Sequence, residues 1–529
     1  MDYKNVKMMK TKYYILNILA LSCIFSSVYA QEMAEKSYYS FDRIEMLNPW
    51  LVSANRAGLV QNEFDNYSQI GGYYKVRKGA FRNFNDPAQH DLLGFETRSY
   101  VHSKDLYFFG KFGYEYGFKK DQAWLGTVYP NVVINPFLDS IPGKVLHESY
   151  FLNAGVGYRL NKSVSIGVSF DYETAVANKR LDVRNKSTMS DMSISPGILF
   201  DFSSIVLGIN FHYKHYAERV EYRFYGEGTK VLYYMEGLWM NVFSVMANTD
   251  NPSDRGYLLD DFGGGLQCEL KFGDFAFYNQ FKVGFSKEDN RESNNLVKRY
   301  AYLDRLHYNY FGQIIYSSQL FNNLLKLHFS NEEAASYKVT TIYERVPGES
   351  SSWAWKEYGK DLRYMQSFKQ FGLEYNGIVK RSQYGYKWDV VLGVSHMEVE
   401  KTEKIFPTQY DQDYKTNEFY AALCKNFIFG NNLIDLRAGY ALKSGNGNKI
   451  TEKNPLVGSA LKLNYTVLNH DFAYQTADSN TFMLGAKYSY VFNAAKGYVG
   501  FFGINYVNQK PNDSDDSRSY VNLSMGFNF

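Results

Sequence analysis

Long apolar runs are missing from this chain of 529 residues. After the first 30 residues nothing approaches the roughly 18–20 uninterrupted apolar residues that a membrane-crossing helix requires. Mean hydropathy is −0.40, so a bundle of transmembrane helices is excluded. Cysteine is scarce, with 3 residues in all, and Cys268 and Cys424 are the two beyond the N-terminal segment. They fall on distant stretches of chain, so neither a disulfide scaffold nor a cysteine zinc site is expected. The 11 prolines and 41 glycines are spread along the chain and mark no linker. An excess of one charge sign is also lacking, which gives no case for nucleic-acid binding. The 9 histidines form no readable Ser/His/carboxylate constellation, so hydrolytic chemistry, and enzyme activity generally, is not expected.

What the chain has in abundance is aromatic rings: 18% of residues, with 48 Tyr and 40 Phe. Length alone would suggest several soluble domains. A polar mean hydropathy with many Tyr and Phe suits instead one large membrane barrel, in which only alternate residues meet lipid and aromatics gather at both interfaces. The N-terminus fits export. Lys4, Lys7, Lys10 and Lys12 precede an apolar stretch from Tyr14 to Phe25, and Ser27-Val28-Tyr29-Ala30 offers a signal-peptidase site. Residues 1–30 are therefore expected to be a signal peptide, leaving Gln31 first. Its loss takes four lysines and Asp2 from 58 basic and 55 acidic residues, so the remainder is formally neutral.

Periodicity of two carries the fold assignment. Leu106, Phe108, Phe112, Tyr114, Tyr116 and Phe118 alternate with a set including Lys111, Gly113 and Glu115. Val164, Ile166, Val168, Phe170 and Tyr172 alternate with Ser165, Gly167, Ser169 and Asp171. Ile434, Leu436, Ala438 and Tyr440 do the same against Asp435, Arg437 and Gly439. A helix, with its period of 3.6, would scatter these sets over several faces. Strands of about 10–12 residues match a membrane-crossing length.

Connections alternate between short and long. Short turns are expected near Ser103-Lys104, Asn161-Lys162, Ser203, Gly273-Asp274, Ser318-Gln319, Ser382, Gly430-Asn431 and Asn493–Lys496. Long loops are expected over 119–148, 174–188, 226–261, 287–305, 344–366, 400–415 and 443–480. That parity is the pattern of outer-membrane barrels. The chain ends on Val521, Leu523, Met525, Phe527 and Phe529 at alternate positions, with Gly526 before Phe527. Such an ending resembles the signal read by the outer-membrane insertion machinery. The expectation is an all-β, single antiparallel transmembrane β-barrel of about 18 strands over 67–529, or 16 if the first pair belongs to a plug. Its site would be the cell outer membrane, among outer-membrane lipids and lipopolysaccharide.

Ahead of the barrel, Asn48-Pro49-Trp50-Leu51-Val52-Ser53-Ala54-Asn55-Arg56-Ala57-Gly58-Leu59 looks like the Asn-Pro and Ala-Gly-Leu segment of FadL-like barrels, in which the N-terminal stretch plugs the lumen. Over its whole mature length the chain resembles an uncharacterised family of outer-membrane β-barrels from Bacteroides-type bacteria. The resemblance rests on this segment, on Phe137-Leu138-Asp139-Ser140-Ile141-Pro142-Gly143-Lys144 and on Glu236-Gly237-Leu238-Trp239. It implies fold and location but no activity, and it suggests TonB-dependent receptors or surface lipoproteins as partners.

The candidate site is the lumen. Lys111, Glu115, Arg159, Asp171, His212, Lys282, Glu374, Lys387, Asp389, Asp435, Arg437 and Lys487 fall opposite the apolar set. Charges of both signs suit either a wet passage or ion pairs that satisfy one another and hold a plug. In the segment 31–66, Pro49 and Gly58 oppose a continuous element, while Trp50, Leu51, Val52 and Leu59 are too apolar for a free tail. Asn48–Leu59 is therefore expected to close the periplasmic end. The 226–261 loop carries Tyr233, Tyr234, Leu238, Trp239 and Phe243, which should form a constriction or a partner surface.

Three motifs are set aside. His212 and His215 would share a metal on a helix but point to opposite faces of a strand. Asn512-Asp513-Ser514-Asp515-Asp516-Ser517 lacks the spacing of a calcium loop. Phe262-Gly263-Gly264-Gly265 precedes no helix that could take a phosphate. No cofactor and no metal are expected. Two functions remain: a channel or transporter for a small solute or apolar ligand, or a non-enzymatic interaction partner of a surface lipoprotein or TonB-dependent receptor.

Overall fold

The computed structural model describes residues 35–129, 132–225, 230–236, 240–247, 253–292, 297–348, 352–454, 462–463 and 465–529. The expected signal peptide, Leu238 and Trp239 lie outside them, as do the side chains of Tyr234 and Phe243. Eighteen strands, from Tyr67–Gly79 to Arg518–Asn528, form one antiparallel meander. The last strand pairs with the first, from Gln69 opposite Asn528 to Gly79 opposite Arg518. Closure pairs the first strand with the last, so neither is left as an open edge.

The alternation decides which side chains point out. Leu106, Phe108, Phe112 and Tyr116 are exposed, whereas Tyr107, Phe109, Gly113 and Gly117 between them are buried. Ile166, Val168, Phe170 and Tyr172 are exposed around buried Ser165 and Ser169. Oily side chains outside and small or polar ones inside invert the pattern of soluble sheets and match that of transmembrane barrels. All eight expected short turns are present, for example Lys104-Asp105, Gly273-Asp274 and Gly430-Asn431.

Strand length departs from expectation. Strands run from 11 residues, in Arg518–Asn528, to 28, in Trp353–Lys380. Much of what reads as long loop is ladder: Val164–Lys179 and Arg184–Asp201 leave only 180–183 between them. Tyr386–Ile405 and Thr408–Phe429 are joined by Phe406-Pro407 alone. The oily alternation covers only part of these strands, and backbone pairing continues beyond it.

Three connections at the long-loop end fold inwards. Leu125, Val128, Val133 and Phe137 are buried against the barrel's inner wall, at Val145, Ala177, Tyr216, Val220, Tyr222 and Tyr257. Asp139 and Lys179 form an ion pair with neither side chain exposed. The strands Lys230–Glu236 and Met240–Ala247 form a hairpin flanked by Phe137–Asp139 and Lys462–Leu463. Leu232 of this hairpin is buried beside Phe137. The helix Tyr465–Thr476 buries Asp471, which accepts from Asn83 at 2.9 Å.

Candidate functional site

The first strand begins at Tyr67, and the chain before it fills the short-turn end of the lumen. Asn48 caps the short turn Pro49–Val52 by accepting from the Trp50 amide, and its Nδ2 donates to the Gln61 carbonyl at 2.8 Å. Proline suits the first position of such a turn because no amide partner is lost there. Gly58 is needed for packing, since a Cβ there would lie 2.7 Å from the Trp50 ring. Trp50, Leu51, Ala57 and Leu59 are at most 1% exposed, as their apolar character requires.

Many polar groups of this segment bond to the wall. Trp50 Nε1 donates to Glu269 at 2.7 Å, Ser53 Oγ to Gln280 at 3.0 Å and Gln61 to Asp201 at 2.8 Å. Asn55 Nδ2 donates to the Ile198 carbonyl and to Gln267. Arg43 pairs with Asp389 at 2.6 Å, and Glu45 pairs with Arg98. The wall carries glycines where the segment touches it: a Cβ at Gly167 would stand 2.2 Å from the Ala57 amide, and one at Gly197 the same distance from Asn55 Oδ1. The Arg56–Gln61 turn sits on the strands from Leu106 to Asp201, while Trp50, Ser53, Arg43 and Glu45 reach Glu269, Gln280, Asp389 and Arg98 on other strands, so the segment crosses the lumen.

Space remains elsewhere in the lumen. A lower cavity of about 730 Å³ lies beside the N-terminal segment and is lined by Arg43, Glu374, Asp389, Asp435, Arg437 and Lys487 among others. Glu374 is held by Lys326 and Tyr420, and Asp435 by Tyr386 and Asn426. Lys487 sits 4.6 Å over the Phe501 ring. An upper cavity of about 620 Å³ has Ala54 at its floor and includes Asp171, His212, Lys282, Asp261, Arg305 and His307. Tyr129 and Val132 of the infolded connection also line it. Burial and the neighbouring Glu173 carboxylate hold the Tyr129 phenol well above its ordinary pKa.

Of the twelve expected lumen residues, eight line these cavities. Lys111, Glu115 and Arg159 do not: they bond to Glu96, to Tyr73 and Lys75, and to the Val60 carbonyl. Lys387 is a correction. The ladder register shifts so that Val379 pairs with Trp388 and Lys380 with Tyr386, skipping Lys387. Lys387 is exposed, and Tyr386 takes the lumen position under the Arg43 guanidinium. A bulge of this kind breaks the strict alternation on which the expectation rested.

Sequence reading also missed Asp261 and His307. Asp261 falls in a stretch that reads as loop but belongs to the strand Ser253–Phe272. His307 alternates with Arg305 and Asn309, a signal sufficient to place it on the inner face, but its neighbours depend on register. His212 Nε2 lies 2.6 Å from one Asp261 oxygen and His307 Nε2 lies 2.7 Å from the other. His215 is across the strand with Asp260, as a separation of three demands.

No curated protein sequence matches this chain. Similar solved structures include the ferric preacinetobactin receptor BauA from Acinetobacter baumannii, at 9% identity and TM-score 0.38, covering 88% of this chain and 80% of that one. The outer membrane transporter YddB from Escherichia coli shares 8% identity at TM-score 0.37, covering 88% and 81%. A mutant of TodX, a monoaromatic hydrocarbon channel, shares 11% at TM-score 0.31, covering 91% and 94%. Over residues 56–529 the sequence matches the model of a family of unknown function (DUF6850), and the chain belongs to that family.

Proposed function

We propose that the chain is an outer-membrane barrel that passes a small polar solute, with its N-terminal segment as a fixed constriction at the periplasmic end. The outward belt of Leu, Ile, Val, Phe and Tyr supports a lipid setting, because soluble monomers rarely leave large contiguous apolar surface in water. The observation that supports the passage is the pair of charged cavities, about 730 and 620 Å³, on either side of the N-terminal segment. Those charges favour a polar solute over an apolar ligand, and their balance gives no strong ion selectivity.

Single-channel conductance and liposome swelling on the purified barrel test this. Deleting Gln31–Leu59 should raise conductance while the barrel keeps its heat-dependent gel mobility. Unchanged conductance in a folded deletion variant overturns the constriction.

A second reading, docking of a surface lipoprotein or transporter, is favoured by one feature. The strands Phe321–Arg345 and Trp353–Lys380 last pair with their outer neighbours at Lys338 and Tyr364. Beyond that they run on as a ribbon whose Ile342, Tyr343, Trp353 and Tyr358 are all at least 50% exposed. The same measurement separates the two: a barrel silent with and without its N-terminal segment leaves the docking role.

A further inference from the structure

We propose that His212, Asp261 and His307 bind a divalent transition-metal ion on the wall of the upper cavity. The three offer ligand atoms within 4.8 Å of one another. They come from three different strands, Ile205–Arg223, Ser253–Phe272 and Lys298–Ser317, so their meeting is a product of register. His212 stands opposite Gly263, Gly263 opposite Gly284, and Gly284 opposite His307, in one row across four strands.

The two glycines between the histidines make the arrangement possible. A Cβ at Gly263 would lie 2.2 Å from His212 Cε1, and one at Gly284 would lie 2.3 Å from His307 Cε1. Both imidazoles therefore lie flat over the strands between them and turn inward towards each other, with ring centres 6.4 Å apart. Any larger residue at either position would push a ring away from Asp261. The Gly263-Gly264-Gly265 stretch, useless as a phosphate loop, thus seats a histidine.

Asp261 is anchored for this role. Its side chain is 7% exposed, and Ser286 Oγ donates to Oδ2, fixing the carboxylate plane as outer-sphere partners of metal ligands do. Each carboxylate oxygen faces one imidazole Nε2, so in the metal-free protein both Nε2–H groups donate to the carboxylate, and an ion would replace the two hydrogens. Of the charged neighbours on the cavity wall, Lys214 pairs with Asp191 and Arg305 with Glu288 and Glu332, and Lys282 and Asp171 stand on the same wall. The histidine rings retain about a fifth of their surface open to the cavity, so at least one position on the ion would face the lumen, for water or a solute donor. Two imidazoles and a carboxylate suit zinc, copper, nickel, cobalt or iron(II) rather than calcium or magnesium, which prefer oxygen cages.

Cobalt(II) and zinc(II) are the probes. The purified full-length barrel, without a histidine tag and stripped with chelator, is titrated with cobalt(II) followed by visible absorption and with zinc(II) by calorimetry. One equivalent should bind saturably. Asp261→Asn and His307→Gln should abolish it, Ser286→Ala should weaken it by about 10-fold, and His215→Gln should leave it intact. Heat-dependent gel mobility shows that each variant is folded. No saturable binding in the parent barrel, or binding that survives Asp261→Asn and His307→Gln, overturns the site.

Discussion

Ser169 and Phe170 are adjacent in the chain and face opposite media. Phe170 is exposed on the outer belt, while Ser169 is buried and lines the upper cavity. A lysine put in place of Phe170 or Leu436 loses its hydration to lipid and should cost roughly 2–4 kcal/mol near mid-membrane. Ser169→Lys should cost far less, since the ammonium reaches the wet lumen beside Asp171. Urea titration of the folded barrel fraction checks this, and equal losses on both faces would show the assignment reversed. Gly439 shares the inner face but is a poor comparison site, because a Cβ there would meet the Ala421 carbonyl, Ala422 and Met483 all at 3.1 Å. The facing of Phe170 and Ser169 is legible in sequence because pleat geometry alone sets it. The room beside Gly439, and the skipping of Lys387, depend on neighbouring strands and are not.

Among the elements, the infolded connection between the strands Leu106–Gln122 and Gly143–Arg159 depends on one buried ion pair. Lys179 donates to Asp139 and, at 2.6 Å, to the Ile141 carbonyl. Removing one partner strands a charge in the interior, at a cost of about 3–5 kcal/mol. Lys179→Met should therefore release the connection, seen as protease cleavage between Leu125 and Asp139 in a barrel that otherwise keeps its gel mobility. Asp139→Asn combined with Lys179→Met should restore much of the protection. Unaltered protection in Lys179→Met would show that apolar packing around Phe137 suffices. The sequence marks this element weakly, as an apolar-rich connection, and marks the Asn48–Leu59 segment well through its Asn-Pro start and its tryptophan. Neither reading reveals the partner. Asp139 and Lys179 are separated by one complete strand and nearly all of the next, and the glycine seat for Asn55 is spread over strands that meet only after pairing.

At the scale of the whole molecule, stability rests on closure between Tyr67–Gly79 and Arg518–Asn528. Gly526 is part of that seam, since a Cβ there would lie 2.5 Å from the Ile70 carbonyl and against the Phe501 ring. Removing Ser519–Phe529 leaves two long edges unpaired in lipid, where each lost backbone hydrogen bond is expensive. The truncated chain should give no heat-modifiable barrel, and recovery of such a species would show that the seam is dispensable.

The strand count, the short-turn positions, the oily outer face and the capped N-terminal turn were determined by the sequence itself. Each is local, set by pleat alternation, turn chemistry or a side chain bonding its own backbone. Only the tertiary structure decided the strand lengths, the two cavities, the glycine seat and the meeting of His212, Asp261 and His307. Those depend on register, and register is fixed only when eighteen strands pair and close.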